Sequence, residues 1–547
     1  RAGVRPRRRG LQGDRRGAGV VDMEAAGALA RDGLSTYVEA LRAAVRARSR
    51  AFWIVAGLTL LAAGLRFATL GAQAYHHDEI VTASRVLRGD FWHAMDAVGF
   101  SESAPPLYYA LAWFWTQLTG TGEYGLRSLS ALAGVATVPV AYLLGAELRD
   151  RRAGIAAAAL VAVNPMLLWY SQEARGYSLL VLLTSLSLLY FLRTLDRPRG
   201  DVPGVMHTYG GLTPGTSRDL TLWGVFSGLA MATHYFALFP VVAEAAWLAW
   251  RRGRESLRGL WVVAGFGLLL APLAIHQMLQ GHAEWIGNHS LGHRLWEVGV
   301  VFTVGEIGDI VARPERPALA LVPVALIVAL LALLAMRGER RERRAAAPVL
   351  AIAAATVTIP LLLAVLAPSK DYVLARNVLP ALVPLLVAVG IAATLRGALL
   401  GAALFAYSLG FCLLASLSPA FQRPDWEAVA AKLGEPEAPR AMVSWTLGHA
   451  SLRYYLSTGS FQARPSEGFA WHVHEIAFVS DGPAPPVPAR LFGPRFHQVG
   501  YERAGRLYVR RYALPGSDLA RLRLKRVRGA DLNFRSNGVL LDGIGPP

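Results

Sequence analysis

The sequence predicts a mainly α fold, a polytopic transmembrane helical bundle followed by a small α/β domain, and three observations carry that prediction. The 547 residues are 54% hydrophobic and only 17% charged, with a mean hydropathy of +0.35, too apolar for a soluble chain. Apolar runs near the roughly 20 residues that cross a bilayer recur between Ala51 and Leu417. Beyond Ser418 the composition turns to Pro, Arg and Glu, with no run long enough to span. The formal charge of +18 sits in short arginine clusters between apolar runs, which is the pattern of cytoplasmic loops and not of a nucleic-acid surface. The single cysteine, Cys412, excludes an intrachain disulfide and a Cys-based zinc site.

In chain order, residues 1–50 form a basic cytoplasmic arm. Arg1 to Asp22 reads as a disordered arm or an untranslated extension, without a cleavable signal peptide. Glu24 to Arg50 carries Leu29, Leu34, Val38, Leu41 and Val45 at helical spacing, which predicts an amphipathic helix on the cytoplasmic surface. The bundle occupies residues 51–417. Its first span, Ala51 to Leu70, ends at Tyr75-His76-His77-Asp78-Glu79, and the positive-inside rule puts those carboxylates outside. Ile80 to Arg127 is rich in aromatics and acids, and its Pro105-to-Leu118 part is too short to span, so interfacial helices are expected there. Laying that part along the interface sends the second span, Ser128 to Leu148, inward to Arg149, Arg151 and Arg152, and every later basic cluster then falls inside. Nine more spans follow: Gly154–Leu168, Ser178–Leu192, Leu220–Thr233, Ala237–Trp250, Gly259–Met278, Ala318–Met336, Ala345–Ala367, Val378–Leu395 and Ala398–Leu417. The total is about eleven, with a long outer loop from Gln280 to Pro317. No internal repeat points to an inverted-repeat transporter.

Residues 418–516 read as an extracytoplasmic α/β domain. Asp425 to Leu433 is a capped helix, and Ala441–Trp445, Ile476–Val479 and Arg506–Tyr512 are strands. Residues 517–547 read as a separate basic tail, lying on anionic lipid or disordered.

Under this topology Asp78, Glu79, Glu102, Glu173, Arg175, Tyr177, His234, Tyr235, His276, Lys370, Asp371 and Arg376 all fall at the outer ends of spans, which is the pattern of a cavity. Asp78 reads as a general base for an acceptor hydroxyl, or as a carboxylate solvated at the interface or paired with a nearby arginine. Glu79 reads as its solvated or supporting neighbour. Glu173 and Arg175 read as groups that orient a hydroxyl and hold a phosphate, or that pair with each other. Lys370 and Arg376 suit an anionic leaving group, although such side chains also snorkel at helix ends. No cofactor is identified, and a divalent metal, though compatible with the chemistry, is not supported by ligand spacing. His76 and His77, with His234, His276, His282, His289 or His293 as distant partners, lack the spacing of a divalent-metal site. Asn164-Pro165 and Pro105-Pro106 are helix breakers. A phosphate loop, a GxGxxG junction and a DxD motif between soluble strands are all missing from the sequence, which argues against a nucleotide donor.

Several motifs in order resemble the integral-membrane GT-C glycosyltransferases of the protein O-mannosyltransferase and aminoarabinose transferase superfamily (glycosyltransferase family 39-like). They are Tyr75-x-x-Asp78-Glu79, Pro105-Pro-Leu-Tyr-Tyr109, Arg127-Ser-Leu-Ser-Ala-Leu-Ala-Gly134, Gln172-Glu-Ala-Arg-Gly-Tyr177, Thr233-His-Tyr-Phe236, Arg376-Asn-Val-Leu-Pro380 and Arg423-Pro-Asp-Trp426. The resemblance covers roughly Ala51 to Leu433. It implies a polyprenyl-phosphate-linked sugar as donor, a glycan, lipid or protein acceptor entering on the outer face, and inversion at the sugar carbon. It also implies that Asp78 is the catalytic base and Glu173 the second acidic residue, with Glu79, Glu102, Tyr177, His234 and Tyr235 supporting or orienting and Arg175, Lys370 and Arg376 holding the donor phosphate. The loop from Gln280 to Pro317 would select acceptor or lipid. The expected function is therefore a membrane glycosyltransferase of the cell envelope, moving a hexose or pentose. The competing readings are a transporter or flippase for lipid-linked sugars and a non-catalytic protein that binds cell-wall polymer.

Overall fold

The computed structural model describes residues 50–195, 217–280, 286, 290–306, 317–367, 371–456, 461–462, 471–533 and 536–543. The predicted amphipathic helix of Glu24 to Arg50 therefore lies outside the described residues, apart from Arg50, as do Lys370, His282, His289 and much of the loop from Gln280 to Pro317. The chain divides into two units, Arg1–Gly57 and Leu58–Pro547, and all contacts described below lie within the second.

Each of the eleven predicted apolar runs is helical. In chain order the helices are α1 (Arg50–Phe67), α2 (His77–Val81), α3 (Phe91–Ser101), α4 (Leu107–Thr119), α5 (Glu123–Leu148), α6 (Arg151–Ala162), α7 (Pro165–Ser171), α8 (Tyr177–Thr194), α9 (Ser217–Thr233), α10 (Leu238–Arg252) and α11 (Leu257–Leu279). They continue with α12 (Leu291–Val304), α13 (Pro317–Arg337), α14 (Arg340–Leu366), α15 (Leu382–Ala393) and α16 (Ala398–Leu417). Among the described residues, seven helical stretches are long and apolar enough by themselves to cross a membrane, or eight counting the bent α6–α7 pair. The figure is below eleven because α10 and α11 run on as one stretch from Tyr235 to Leu279 and other helices are short.

Two departures from expectation position the site. The helix expected from Ser128 begins instead at Glu123 and runs 26 residues, because Arg127 is buried and neutralised inside it and does not mark its edge. The predicted third span bends by 57° between α6 and α7. Pro165 has no N–H to donate, and Asn164 caps the restarted helix by accepting from the Leu167 amide at 3.0 Å. The break frees carbonyls at membrane depth, and side chains meet them: Arg66 donates to the Ala162 carbonyl at 3.0 Å, and Cys412 donates to that of Val163 at 3.0 Å. A buried carboxylate on α10, Glu244, is likewise satisfied, accepting from Ser187 at 2.7 Å and Trp223 at 2.8 Å.

The segment between α1 and α5 folds as short helices, as the aromatic-rich sequence predicts. Asp90 caps α3 by accepting from the His93 amide at 2.9 Å. Gln277 of α11 pins this region by donating to the Val98 carbonyl at 2.9 Å. The basic clusters gather at the far ends of the same helices: Arg149 donates to the Ile391 carbonyl at 3.2 Å and pairs with Glu342 at 3.4 Å, and Arg193 pairs with Glu147 at 2.8 Å.

The carboxyl-terminal domain holds α17 (Trp426–Leu433), α18 (Gly448–Tyr455), α19 (Leu524–Val527) and eight strands. The strands are β1 (Arg440–Trp445), β2 (Phe461–Gln462), β3 (Trp471–Val473), β4 (Glu475–Asp481), β5 (His497–Ala504), β6 (Leu507–Ala513), β7 (Ala520–Leu522) and β8 (Asn537–Asp542). Six form a mixed sheet in the order β2-β8-β1-β4-β6-β5, with β1 and β4 parallel, and β3 pairs with β7. Alternation along the strands gives the sheet two apolar faces. Met442, Ala477, Val479 and Leu540 pack on α17 and α18, and Ala441, Val443, Ile476, Phe478 and Leu541 pack on the opposite side.

The predicted strands and the Asp425-capped helix are present, but the boundary expected at residue 517 is not. β8 comes from the supposed basic tail and lies between β2 and β1. A buried ion pair at 2.7 Å fastens it, from Arg440 on β1 to Asp542 on β8. The run Val539-Leu540-Leu541 is too short to stand out among arginines and glycines, yet a central strand needs only a few apolar residues. Removing residues 517–547 should therefore expose β1 and unfold the domain. Limited proteolysis is expected to degrade the remaining 418–516 segment rapidly while the helical bundle persists.

Candidate active site

Asp78 and Glu79 stand side by side on α2, and opposite fates follow from their directions along it. Glu79 is fully buried. One of its oxygens accepts from Arg127 Nε at 2.7 Å and from the Ala174 amide at 2.8 Å, and the other from Arg127 Nη2 at 2.7 Å and the His76 amide at 2.9 Å. Arg127 spends its remaining N–H groups on the carbonyls of Leu70, Gln73 and Ala74. Burial opposes the Glu79 charge, but Arg127 and then Arg423 outweigh it and hold the carboxyl below the usual range. Of the two expectations for Glu79, solvated or supporting, the first is corrected by its burial: it ties α2, α5 and the 172–176 loop together.

Asp78 faces a more open space. Its carboxylate lies 3.5 Å from Arg376, and the two side chains keep 29% and 30% of their surface exposed. Burial raises its pKa, but Arg175, His76 and Arg376 reverse the effect and hold it well below the usual carboxylate range. Arg376 enters on the 3₁₀ helix Ala375–Ala381 that precedes α15.

The loop between α7 and α8 supplies the next residues. Glu173 and Arg175 do not pair with each other. Glu173 accepts from Arg423 at 2.9 Å, and Arg175 pairs with Glu102 at 2.7 Å and donates to Thr82 at 3.2 Å. Burial pushes the Glu173 carboxyl up to about 6, against the pull of Arg423. Glu102 pulls on the other side, and the Arg175 guanidinium, for all its burial, is held above its ordinary pKa. Tyr177 stacks obliquely on Tyr170 at 4.6 Å and on His234 at 5.4 Å. Burial, followed by Arg175 and Arg376, pushes His234 down to about 3, so it is neutral and accepts from the Phe236 amide. Tyr235 turns away to donate to Gln277 at 2.8 Å, so it joins the support of the short helices and not the charged cluster. His276 contacts Phe100 and Gln280, and Asp371 is gripped by Arg294 at 2.5 Å. Among the described residues no three His, Cys, Asp or Glu side chains are grouped to hold a metal ion.

Residues 103–276 match the family model described as dolichyl-phosphate-mannose-protein mannosyltransferase. This segment of the chain is similar to that family. The match takes in Arg127, Glu173, Arg175, Tyr177 and His234, whereas Asp78, Glu79, Arg376 and Arg423 lie outside it. Among solved structures, the chain is similar to ArnT from Cupriavidus metallidurans bound to undecaprenyl phosphate, at 13% identity over 84% of this chain and 97% of that one, with a TM-score of 0.48. It is also similar to the Archaeoglobus fulgidus oligosaccharyltransferase tethered with an acceptor peptide, at 16% identity over 70% and 57% of the two chains, with a TM-score of 0.39. No curated protein matches the chain in sequence.

Sequence reasoning gave no role to Arg423, which the fold makes central. From the linker between α16 and α17 it donates to Glu173 and to the Gln172 carbonyl, at 2.9 and 2.7 Å, and lies 3.9 Å from Glu79 and over the Trp169 ring. Its motif, Arg423-Pro-Asp-Trp, was the available signal. The carboxyl-terminal domain also reaches the segment just before α2 and the start of α5 through Tyr455, whose hydroxyl accepts from the Tyr75 amide at 2.6 Å and donates to Glu123 at 2.6 Å.

Removing one member of the buried Glu79–Arg127 pair leaves an uncompensated charge, so Glu79→Ala or Arg127→Leu should destabilise the fold by about 3–5 kcal/mol. Because the folded-state pKa of Glu79 is depressed, this stabilisation is present above the unfolded value of about 4.3 and is lost as pH falls below it. Thermal unfolding in detergent is expected to show the full gap between variants and parent at pH 7, most of it still at pH 4, and a gap that closes only as pH falls toward the folded-state value of about 2.

Proposed function

We propose that this membrane glycosyltransferase moves a sugar from a polyprenyl-phosphate donor to an acceptor hydroxyl with inversion, using Asp78 as general base. One observation carries the reading. A carboxylate held ionised and a guanidinium lie 3.5 Å apart and share a partly open position, while the neighbouring charges are buried in pairs. The similarity of residues 103–276 to dolichyl-phosphate-mannose-protein mannosyltransferases supports the donor class, a sugar carried on a polyprenyl phosphate. In the proposed reaction the acceptor O–H gives its proton to Asp78 as its oxygen bonds to the anomeric carbon. The bond from that carbon to the phosphate oxygen breaks, and the lipid phosphate leaves with the electron pair. Arg376 meets the negative charge growing on the leaving oxygen. Arg175 stands behind it, and Glu173 and Tyr177 border the sugar.

The site is proposed to open on the extracytoplasmic face, with the carboxyl-terminal domain on the same side. The support is charge distribution, since Arg149, Arg193 and the Arg340–Arg344 cluster collect at the opposite helix ends.

Asp78→Asn should lower transfer by about 10²- to 10⁴-fold, the usual worth of a general base, with normal expression and folding. Sugar transfer by the purified variant measures it, and unchanged transfer removes Asp78 from the role. Because Asp78 is held well below the usual range, its protonation does not limit the parent enzyme, and no acid loss assignable to this group is expected down to pH 5. A cysteine in place of Arg151 should label only after membrane permeabilisation, and labelling of intact cells reverses the orientation.

A further inference from the structure

We infer that Arg294 is a positioning residue: together with Asp371 it clamps the segment that carries Arg376, and so sets where that guanidinium stands beside Asp78. The inference rests on the phosphate role proposed for Arg376.

The clamp is a closed set of hydrogen bonds. Arg294, on α12, grips both oxygens of Asp371, with Nη1 donating to one at 2.7 Å and Nη2 to the other at 2.5 Å. Nη1 also donates to the Val373 carbonyl at 3.0 Å, and the Val373 amide donates back to Asp371 at 3.1 Å. The residue enclosed by this ring, Tyr372, offers its carbonyl to Asn377 Nδ2 at 2.9 Å. Asn377 is the immediate neighbour of Arg376.

Both sides of the clamp are themselves anchored. Near the end of α12 the Phe302 carbonyl accepts from Asn164 at 3.0 Å, which joins this helix to the α6–α7 break. The Tyr372 ring packs on Phe236 at 5.6 Å, and Phe236 on His234 at 4.9 Å.

Two physical reasons make such a clamp necessary. A 3₁₀ helix rarely exceeds three or four residues unaided, yet Ala375–Ala381 holds seven, so ties from outside must maintain it. The contact it presents, Arg376 to Asp78 at 3.5 Å, also tolerates little drift, because a misplacement of about 1 Å in a reacting site can cost about 10²-fold in rate. Arginine suits the clamping position, since its planar fork serves two carboxylate oxygens and a carbonyl at once. The side chains of Arg294 and Asp371 are only 3% and 14% exposed, so solvent screens their pairing little.

The test uses the full chain in detergent and its affinity for a long-chain polyprenyl monophosphate, measured on variants that keep the parent's thermal stability. Arg376→Gln should weaken binding, and a parent-like affinity overturns the phosphate role itself. Arg294→Gln and Asp371→Asn should each weaken binding by about 3- to 30-fold, and Arg294→Lys should recover part of the loss. In the Arg376→Gln background neither Arg294→Gln nor Asp371→Asn should have a further effect. Asp371→Asn is the discriminating variant, because taking a negative charge away from an anion site would by itself tighten binding. Unchanged or tighter binding by Asp371→Asn therefore overturns the inference. Equal losses with and without Arg376, or loss of the parent's thermal stability in both single variants, overturn it as well.

Discussion

Two arginines and two glutamates in alternation, Arg127–Glu79–Arg423–Glu173, are the interaction on which the rest of the site depends. Each lies on a different segment: α5, α2, the linker to the carboxyl-terminal domain, and the loop between α7 and α8. All four are buried. Desolvating four charges is costly, and it is offset only because each carboxylate meets a guanidinium and Glu79 also receives two backbone amides. The net charge of the group is zero. Geometry is what it contributes: Glu79 fixes the residue before it, Asp78, and its bond to the Ala174 amide fixes the residue after that one, Arg175. The groups proposed to act on substrate are thus neighbours in sequence of the groups that hold the fold.

The helical bundle was legible because its signal is local. An apolar run near bilayer length is read residue by residue, and all eleven runs are helical. Asp78 was legible for the same reason, as a carboxylate at the end of such a run. What was hidden depends on distant pairing. Arg127 looks like the edge of a span until its partner, 48 positions away, is known, and Glu79 looks solvated for the same reason. Glu173 and Arg175 sit two residues apart and invite a mutual pair, but the loop turns them to opposite partners, Arg423 and Glu102. Nothing in their spacing announces that. β8 was missed because sheet order is a property of the whole domain, and a six-residue strand in a basic segment resembles a tail.

Breaks in regular structure do as much as the helices. The Asn164-Pro165 interruption leaves carbonyls that a continuous helix would have used, and Arg66 and Cys412 donate to them. It also bends the chain by 57°, which carries Trp169 and Tyr170 toward the charged cluster. The 3₁₀ helix Ala375–Ala381 brings in Arg376 beside Asp78. Irregular backbone at membrane depth is tolerated where protein buries it, and Asn164 and Pro165 are both buried.

The carboxyl-terminal domain is continuous with this framework. Arg423 belongs to its linker, and Tyr455 of α18 receives the Tyr75 amide just before α2 begins. The Tyr75 hydroxyl donates to the Thr121 carbonyl, and its ring lies under Arg127. The domain and its linker therefore bear on α2 at two points, Tyr75 just before it through a hydrogen bond and Glu79 within it through charge. A short helix of five residues has little stability of its own, so these external ties must set its orientation. The direction in which Asp78 points is consequently determined by the soluble domain as much as by the membrane bundle.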